Sequence, residues 1–163
     1  MTTNSRAVEI LATFFYIGKI PLMPGTFGTL AAVPLVFLFG ELSPTHYAIA
    51  LFALILLCVW VADQHESMVQ DHDTKDVVID EVCGFLLTMF WLPHTWQAFV
   101  AAFILFRFLD ILKPFPISVL DRSVQGGFGT VVDDLVAGLI ANLVLQVIYT
   151  QTNWLGQQWL PPT

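Results

Sequence analysis

Positive charge is what this chain has least of: only six of its 163 residues are Lys or Arg, against 13 Asp or Glu, for a formal net charge of -7. So few cations cannot neutralise a polyanion, which excludes nucleic-acid binding as its business. Cysteine is as scarce. Cys58 and Cys83 lie in apolar stretches with no CxxC or Cys/His spacing, and Gln64 and Met89 stand where a CxxxxxR loop would need arginine. Disulfide framework, zinc site and cysteine-phosphatase chemistry are thereby set aside, and two buried free thiols are expected. The apolar stretch at residues 10–18 has no basic segment before it and no small-residue cleavage site after it, which argues against a cleaved signal peptide.

What is present is apolar. Hydrophobic residues make up 56% and charged residues 12%, both far from soluble averages and in opposite directions; the mean hydropathy is +0.75. Charge is also segregated, because residues 20–40, 42–62, 82–106 and 135–163 contain no Asp, Glu, Lys or Arg. With 14 Phe and 5 Trp for lipid-facing and interfacial positions, this is a membrane pattern. The expected fold is a single all-α domain over residues 1–163, a polytopic membrane bundle of about five apolar helical segments plus an N-terminal interfacial helix over Ala7–Ile17.

The helical segments are read as follows. A Pro/Gly loop at 18–26 leads to "FGTLAAVPLVFLFG", a turn at "ELSPT" starts the return through "HYAIALFALILLCVWVA" to residue 62, and 63–81 is polar. Residues 82–106 form a hairpin turning at "LPHTW", with arms short for a bilayer core of ~30 Å. The hairpin places Arg6, Lys19, Lys75, Arg107, Lys113 and Arg122 on one side, as cytoplasmic positive charge requires, with the uncharged C-terminus opposite. The last helix is expected from Thr130, capped by its hydroxyl with Asp133 in the manner of a capping box, to about Tyr149.

Four polar clusters then share one face: "PGTFGT" (24–29), "KDVVIDEVCG" (75–84), "FRFLDILKPFP" (106–116) and "GGFGTVVDDLVAG" (126–138). Ionisable residues at the edge of apolar segments are expensive and mark function by default. Arg107, Asp110 and Lys113 recur every three residues and align on one helix face, which ends where Pro114 disfavours helical geometry. Asp80 with Glu81, and Asp133 with Asp134, are adjacent pairs; two carboxylates ~5 Å apart at a dielectric of ~20 repel by roughly 3 kcal/mol unless a cation intervenes. Oxygen donors without a Cys/His cluster favour Mg²⁺ over softer metals. Plainer readings exist for each: helix-dipole stabilisation for the acids, membrane anchoring for Arg107 and Lys113, helix capping for Thr26, and a tight turn for Gly126, Gly127 and Gly129. "DHDTK" (71–75) is read as a solvated turn, and His46, His65, His72 and His94 as surface or interfacial residues.

The motifs "PGTFGT", "VIDEVCGF", "FRFLDILKPFPI" and "GGFGTVVDDLVAG" together resemble the phosphatidylglycerophosphatase A family over about residues 18–142. The resemblance implies an all-helical bundle and a magnesium-dependent phosphatase that converts phosphatidylglycerophosphate to phosphatidylglycerol. The family's acidic positions fall on Asp80, Glu81, Asp110, Asp133 and Asp134, with Arg107 and Lys113 beside them and Thr26 matching the first motif's hydroxyl. The expectation assigns Asp80, Glu81, Asp133 and Asp134 to Mg²⁺, Asp80, Asp110 and Asp134 to catalysis, and Thr26, Arg107 and Lys113 to the substrate phosphate. It places the site at the cytoplasmic face of a bacterial inner membrane, with a phospholipid substrate and no obligate protein partner.

Two rivals remain at this stage. A CDP-alcohol phosphotransferase also clusters Asp residues in a membrane, but no Asp-Gly occurs here and Ala137 sits four beyond Asp133, where a further Asp is needed. An ion-coupled transporter would place its acids near mid-membrane instead of at one face. Topology is open to direct measurement: reporter fusions after residues 75 and 122 are expected in the cytoplasm and one after residue 160 in the periplasm. Opposite locations for the first two would exclude the hairpin.

Overall fold

The structure, a computed structural model, describes residues 3–69, 74–124 and 126–156, so the first three residues of "DHDTK", His72 among them, and the segment from 157 onward lie outside the described residues. All regular structure described is helical: α1 (Thr3–Ala12), a 3₁₀ turn (Ile17–Lys19), α2 (Pro24–Ala31), α3 (Val33–Gly40), α4 (Pro44–Val69), α5 (Ile79–Met89), α6 (Trp96–Leu112), α7 (Ile117–Ser123) and α8 (Gly127–Gln151).

Several ends follow local chemistry. Pro44 opens α4, as the turn at "ELSPT" predicts. The segment 82–106 does break into two helices, and Thr95 Oγ1 caps the second by accepting from the Ala98 amide at 3.2 Å. α6 stops at Leu112, where Lys113 adopts the left-handed φ of 43° just before Pro114.

Other ends differ from the expectation. The N-terminal helix finishes at Ala12, not Ile17, because Phe14, Phe15 and Tyr16 take positive φ (42°, 58° and 66°) that no right-handed helix contains. "PGTFGT" is not a loop: Pro24 fills the first position of α2, where its missing N–H leaves nothing unsatisfied. Thr26 therefore sits inside the first turn and caps nothing, its amide bonding the Met23 carbonyl at 3.0 Å. α4 runs on to Val69, since Gln64, Glu66 and Met68 are good helix formers and polarity alone ends no helix. α8 begins at Gly127, so Thr130 is not its cap; the Thr130 hydroxyl donates to Glu66 instead.

α8 is the axis of the bundle, packed against α4, α5, α6 and α7. Its closest neighbour is α5, and the crossing is glycine on glycine: a Cβ on Gly138 would overlap the Gly84 carbonyl oxygen, and one on Gly84 would lie 2.9 Å from the Asp134 carbonyl. Small residues at a helix crossing let backbones touch, the usual solution in apolar surroundings. Below the crossing, Asn142 Nδ2 donates to the carbonyls of Thr88 (2.9 Å) and Phe90 (2.7 Å), and Gln146 Nε2 to Phe90 (3.0 Å), which satisfies the open carbonyls at the end of α5. Phe85, Leu86, Met89 and Phe106 are fully buried around this axis.

The outer surface is apolar. Phe52, Leu56 and Trp60 on α4, Ile104 and Phe108 on α6, and Leu143 and Val147 on α8 all face outward. Among the described helices, α4 and α8 are long and apolar enough to cross a membrane, their apolar 18-residue stretches averaging 2.2 and 1.9 in hydropathy. The other apolar segments read from the sequence, α2 with α3, α5 and α6, are also helical but shorter, and they share their apolar faces with the core. Cys58 and Cys83 are buried and free, as expected.

The glycine crossing yields a direct test. Gly138→Ala, which drives a methyl into backbone, is expected to destabilise the detergent-solubilised protein by about 1–3 kcal/mol. Leu139→Ala, on the exposed face of the next residue, is the control and should leave thermal unfolding nearly unchanged.

Candidate active site

The crossing sets the site one helical turn away. Asp80 lies four residues before Gly84 on α5, and Asp134 four residues before Gly138 on α8, so both acids rise above the contact on facing sides. Glu81 joins them, and among the described residues Asp80, Glu81 and Asp134 each offer a carboxylate oxygen within 4.8 Å of the others. Asp80 and Asp134 are buried, at 5% and 4% exposure, which is uncommon for acids without a compensating cation. The N-terminus of α5 supplies part of that compensation, and the Glu81 amide donates to Asp80 Oδ1 at 3.0 Å.

Adjacent acids on α8 diverge, because successive helical side chains point about 100° apart. Asp134 faces the acids of α5, while Asp133 Oδ2 accepts from Lys113 Nζ at 2.6 Å. Lys113 also donates to Asp121 on α7. Burial pushes its pKa down, but these two carboxylates outweigh it and raise the value, so Lys113 stays cationic throughout the working pH range. Arg107 Nη1 donates to Asp110 Oδ2 at 2.5 Å and lies 3.7 Å from Glu81 Oε1. Thus each cation links two acids.

These groups line a cleft of about 480 Å³ to which Thr26, Lys75, Arg107, Asp110, Lys113 and Thr130 also contribute. Gly25 of α2 forms one wall so closely that a Cβ there would overlap Glu81 Oε1 and lie 3.0 Å from Arg107 Nη1. Three buried polar atoms in or beside the cleft have no hydrogen-bond partner: Glu81 Oε2, Asp133 Oδ1 and Arg107 Nε. Two unpaired carboxylate oxygens and one unpaired guanidinium N–H suit, respectively, a hard cation and an anion.

The structure therefore brings together every residue singled out for the site: Asp80, Glu81, Asp110, Asp133, Asp134, Arg107, Lys113 and Thr26. It adds others. Asp121 holds Lys113 because α7 turns back after Pro114, and Lys75, which opens the cluster at 75–84, reaches the same cleft. Only Asp121's place eight residues beyond Lys113 hinted at the first. The histidines divide. His65 is buried at 5% exposure beside Thr74 Oγ1, not at the surface, because α4 continues past residue 62. His94 lies at the far end of the bundle between Phe37 and Phe99, where burial lowers its pKa.

Fold and cleft together define a helical protein of lipid-compatible surface whose acidic, cation-bridged pocket opens at one end of the bundle. The profile of a family described as Phosphatidylglycerophosphatase A matches residues 10–149. The chain belongs to the phosphatidylglycerophosphatase A family. It is 39% identical to the Escherichia coli (strain K12) protein named Phosphatidylglycerophosphatase A, an alignment covering 86% of this chain and 82% of that one. A Haemophilus influenzae protein of the same name is 36% identical, over 86% of this chain and 88% of its own. A Bacteroides thetaiotaomicron protein provisionally named a phosphatidylinositol-3-phosphatase is 32% identical, over 85% and 91% respectively. No solved structure matches the chain.

The two lysines at the cleft are not equivalent, since Lys113 bridges Asp121 and Asp133 whereas Lys75 is exposed. Lys113→Ala is expected to lower kcat/KM for phosphate release by about 10- to 100-fold, the value of one charge-assisted contact. Lys75→Ala should fall well short of that, and equal losses would demote Lys113 to a membrane anchor.

Proposed function

We propose that this family member is a Mg²⁺-dependent lipid phosphatase, hydrolysing phosphatidylglycerophosphate to phosphatidylglycerol and inorganic phosphate. Family membership supports the reaction, and the convergence of Asp80, Glu81 and Asp134, with Glu81 Oε2 left unpaired, carries the metal dependence. The protein is a multi-pass component of a bacterial inner membrane with its cleft at the cytoplasmic face, a placement supported by the apolar α4 and α8 and by the cations gathered near the cleft.

Each side chain has work suited to its position. Asp80, Glu81 and Asp134 hold the cation, and Asp133, whose Oδ1 is free, borders the same site. The cation, when bound, polarises the phosphoryl group and offsets its charge. Arg107 and Lys113 attract the phosphate monoester, and the Thr26 hydroxyl donates to one of its oxygens. Asp110 orients Arg107 through the 2.5 Å contact. One of Asp80, Asp110 and Asp134 takes the proton of the attacking water or itself attacks phosphorus, a choice that acid-quench trapping of phosphoenzyme would decide.

The acids favour this reading over ion transport because they sit at helix ends: Asp80 and Glu81 open α5, Asp110 closes α6, and Asp133 and Asp134 lie in the second turn of α8. A mid-membrane ion path needs them deeper.

The test is phosphate release by purified protein across a Mg²⁺ titration and with EDTA. Asp134→Asn is expected to fold and insert but lose about 10³-fold or more in turnover, and to lose any Mg²⁺-induced rise in Tm shown by the parent protein. If helix-dipole stabilisation were its whole role, about 0.3–1 kcal/mol would be at stake and turnover would barely change. Glu41→Gln, at the far end of α3, serves as the control.

A further inference from the structure

A second feature lies one helical turn from the cleft. An apolar groove of about 190 Å³ runs between α2–α3 and α6, lined by Leu30, Val33, Phe85, Phe99, Val100 and Phe103 with no charged or polar side chain. Its registry with the cleft is set by the same two helical units. Leu30 and Val33 follow Thr26 by four and seven residues, and Phe103 and Val100 precede Arg107 by the same intervals, so each set continues one helix face downward. At 1.5 Å rise per residue the groove begins about 6 Å below Thr26 and Arg107 and extends to about 10 Å.

Phe85 of α5, fully buried, lines the groove from within the core, and Phe99, stacked on Phe37 at 5.0 Å, is the lining residue of α6 farthest from Arg107. Leu30 and Val100 are about half exposed, at 48% and 49%, so the side toward the surrounding medium is open. The groove is thus open laterally and lies one helical turn from the cleft, since Leu30, Phe85 and Phe103 stand four residues from Thr26, Glu81 and Arg107.

We propose that this groove seats the first stretch of one acyl chain of the lipid substrate while its terminal phosphate lies against Arg107 and Lys113. The inference rests on the function proposed above. The occupant follows from three properties: only an apolar chain gains by entering a groove with no polar partner, the groove lies one helical turn from the cleft, and its open side faces the apolar surface. A second apolar groove, between α4 and α5 and lined by Ala48, Phe52, Leu87 and Phe90, lies toward the opposite end of α5 from Asp80. It shares the chemistry but not the registry, which makes it the control.

The assay uses the purified full chain in detergent micelles with two substrates, diacyl phosphatidylglycerophosphate and its water-soluble deacylated headgroup. Val100→Trp and, independently, Leu30→Trp fill the groove from half-exposed positions. Each is expected to lower kcat/KM for the diacyl lipid by about tenfold while changing that for the headgroup by less than about twofold. Ala48→Trp in the control groove should alter neither. Equal losses on both substrates, or no loss on either, would overturn the proposal.

A labelling arm separates this inference from the phosphatase reading. Phosphatidylglycerophosphate carrying a diazirine on its first acyl carbons should crosslink to α2, α3 and α6 groove residues in excess over phosphatidylcholine bearing the same probe. Enriched crosslinks without phosphate release would sink the phosphatase reading and keep the groove. Phosphate release with equal labelling by both lipids would sink the groove and keep the phosphatase.

Discussion

The contact between the backbones of α5 and α8 at Gly84 and Gly138 is the constraint on which the site depends. Carboxylates on two helices can share a cation only if the helix axes are close, and here no side chain intervenes at the crossing. Because Asp80 and Asp134 each stand four residues from their glycine, the separation of the axes directly sets the spacing of the acids. The polar ties below the crossing, from Asn142 and Gln146 to the carbonyls of Thr88 and Phe90, fix the two helices against sliding. A sliding of one residue would turn Asp80 away from Asp134.

Above that pivot the cleft holds more acid than base, and the shortage is managed by sharing. Arg107 and Lys113 each engage two carboxylates, so four helices, α5, α6, α7 and α8, are cross-linked by two cations. Such pairs in a partly buried pocket gain strength from the low dielectric but leave little room for error. The oxygens of Glu81 and Asp133 that remain unpaired are where the sharing fails, and both residues line the cleft. Structure and electrostatics thus meet at the same two atoms.

Much of this was legible in the sequence because its signals were local. Charge segregation located the apolar segments, Pro44, the turn at "LPHTW" and Pro114 marked helix ends, and four acidic or glycine-rich motifs at apolar boundaries picked out the residues that converge. What was not legible depended on partners far along the chain. Thr130 looked like a cap but bonds Glu66, 64 residues away, and His65 looked solvated because the helix carrying it was expected to end sooner. Asp121 was only faintly signalled as a site neighbour, since its contact with Lys113 requires α7 to fold back. Which apolar helices cross a membrane was not legible for a related reason: an apolar segment facing the core and one facing lipid have the same composition.

On the proposed seating of an acyl chain, the half-exposed rim formed by Leu30 and Val100 determines how reactant meets protein. An opening that faces sideways into hydrocarbon is supplied by molecules diffusing in two dimensions, so the quantity that governs occupancy is mole fraction in the film, not amount per volume of buffer. Adding inert amphiphile at fixed bulk concentration would then slow the protein by dilution within the surface, with no change in the intrinsic chemistry. Crowding of the bilayer by other lipids becomes a control on flux that needs no effector site.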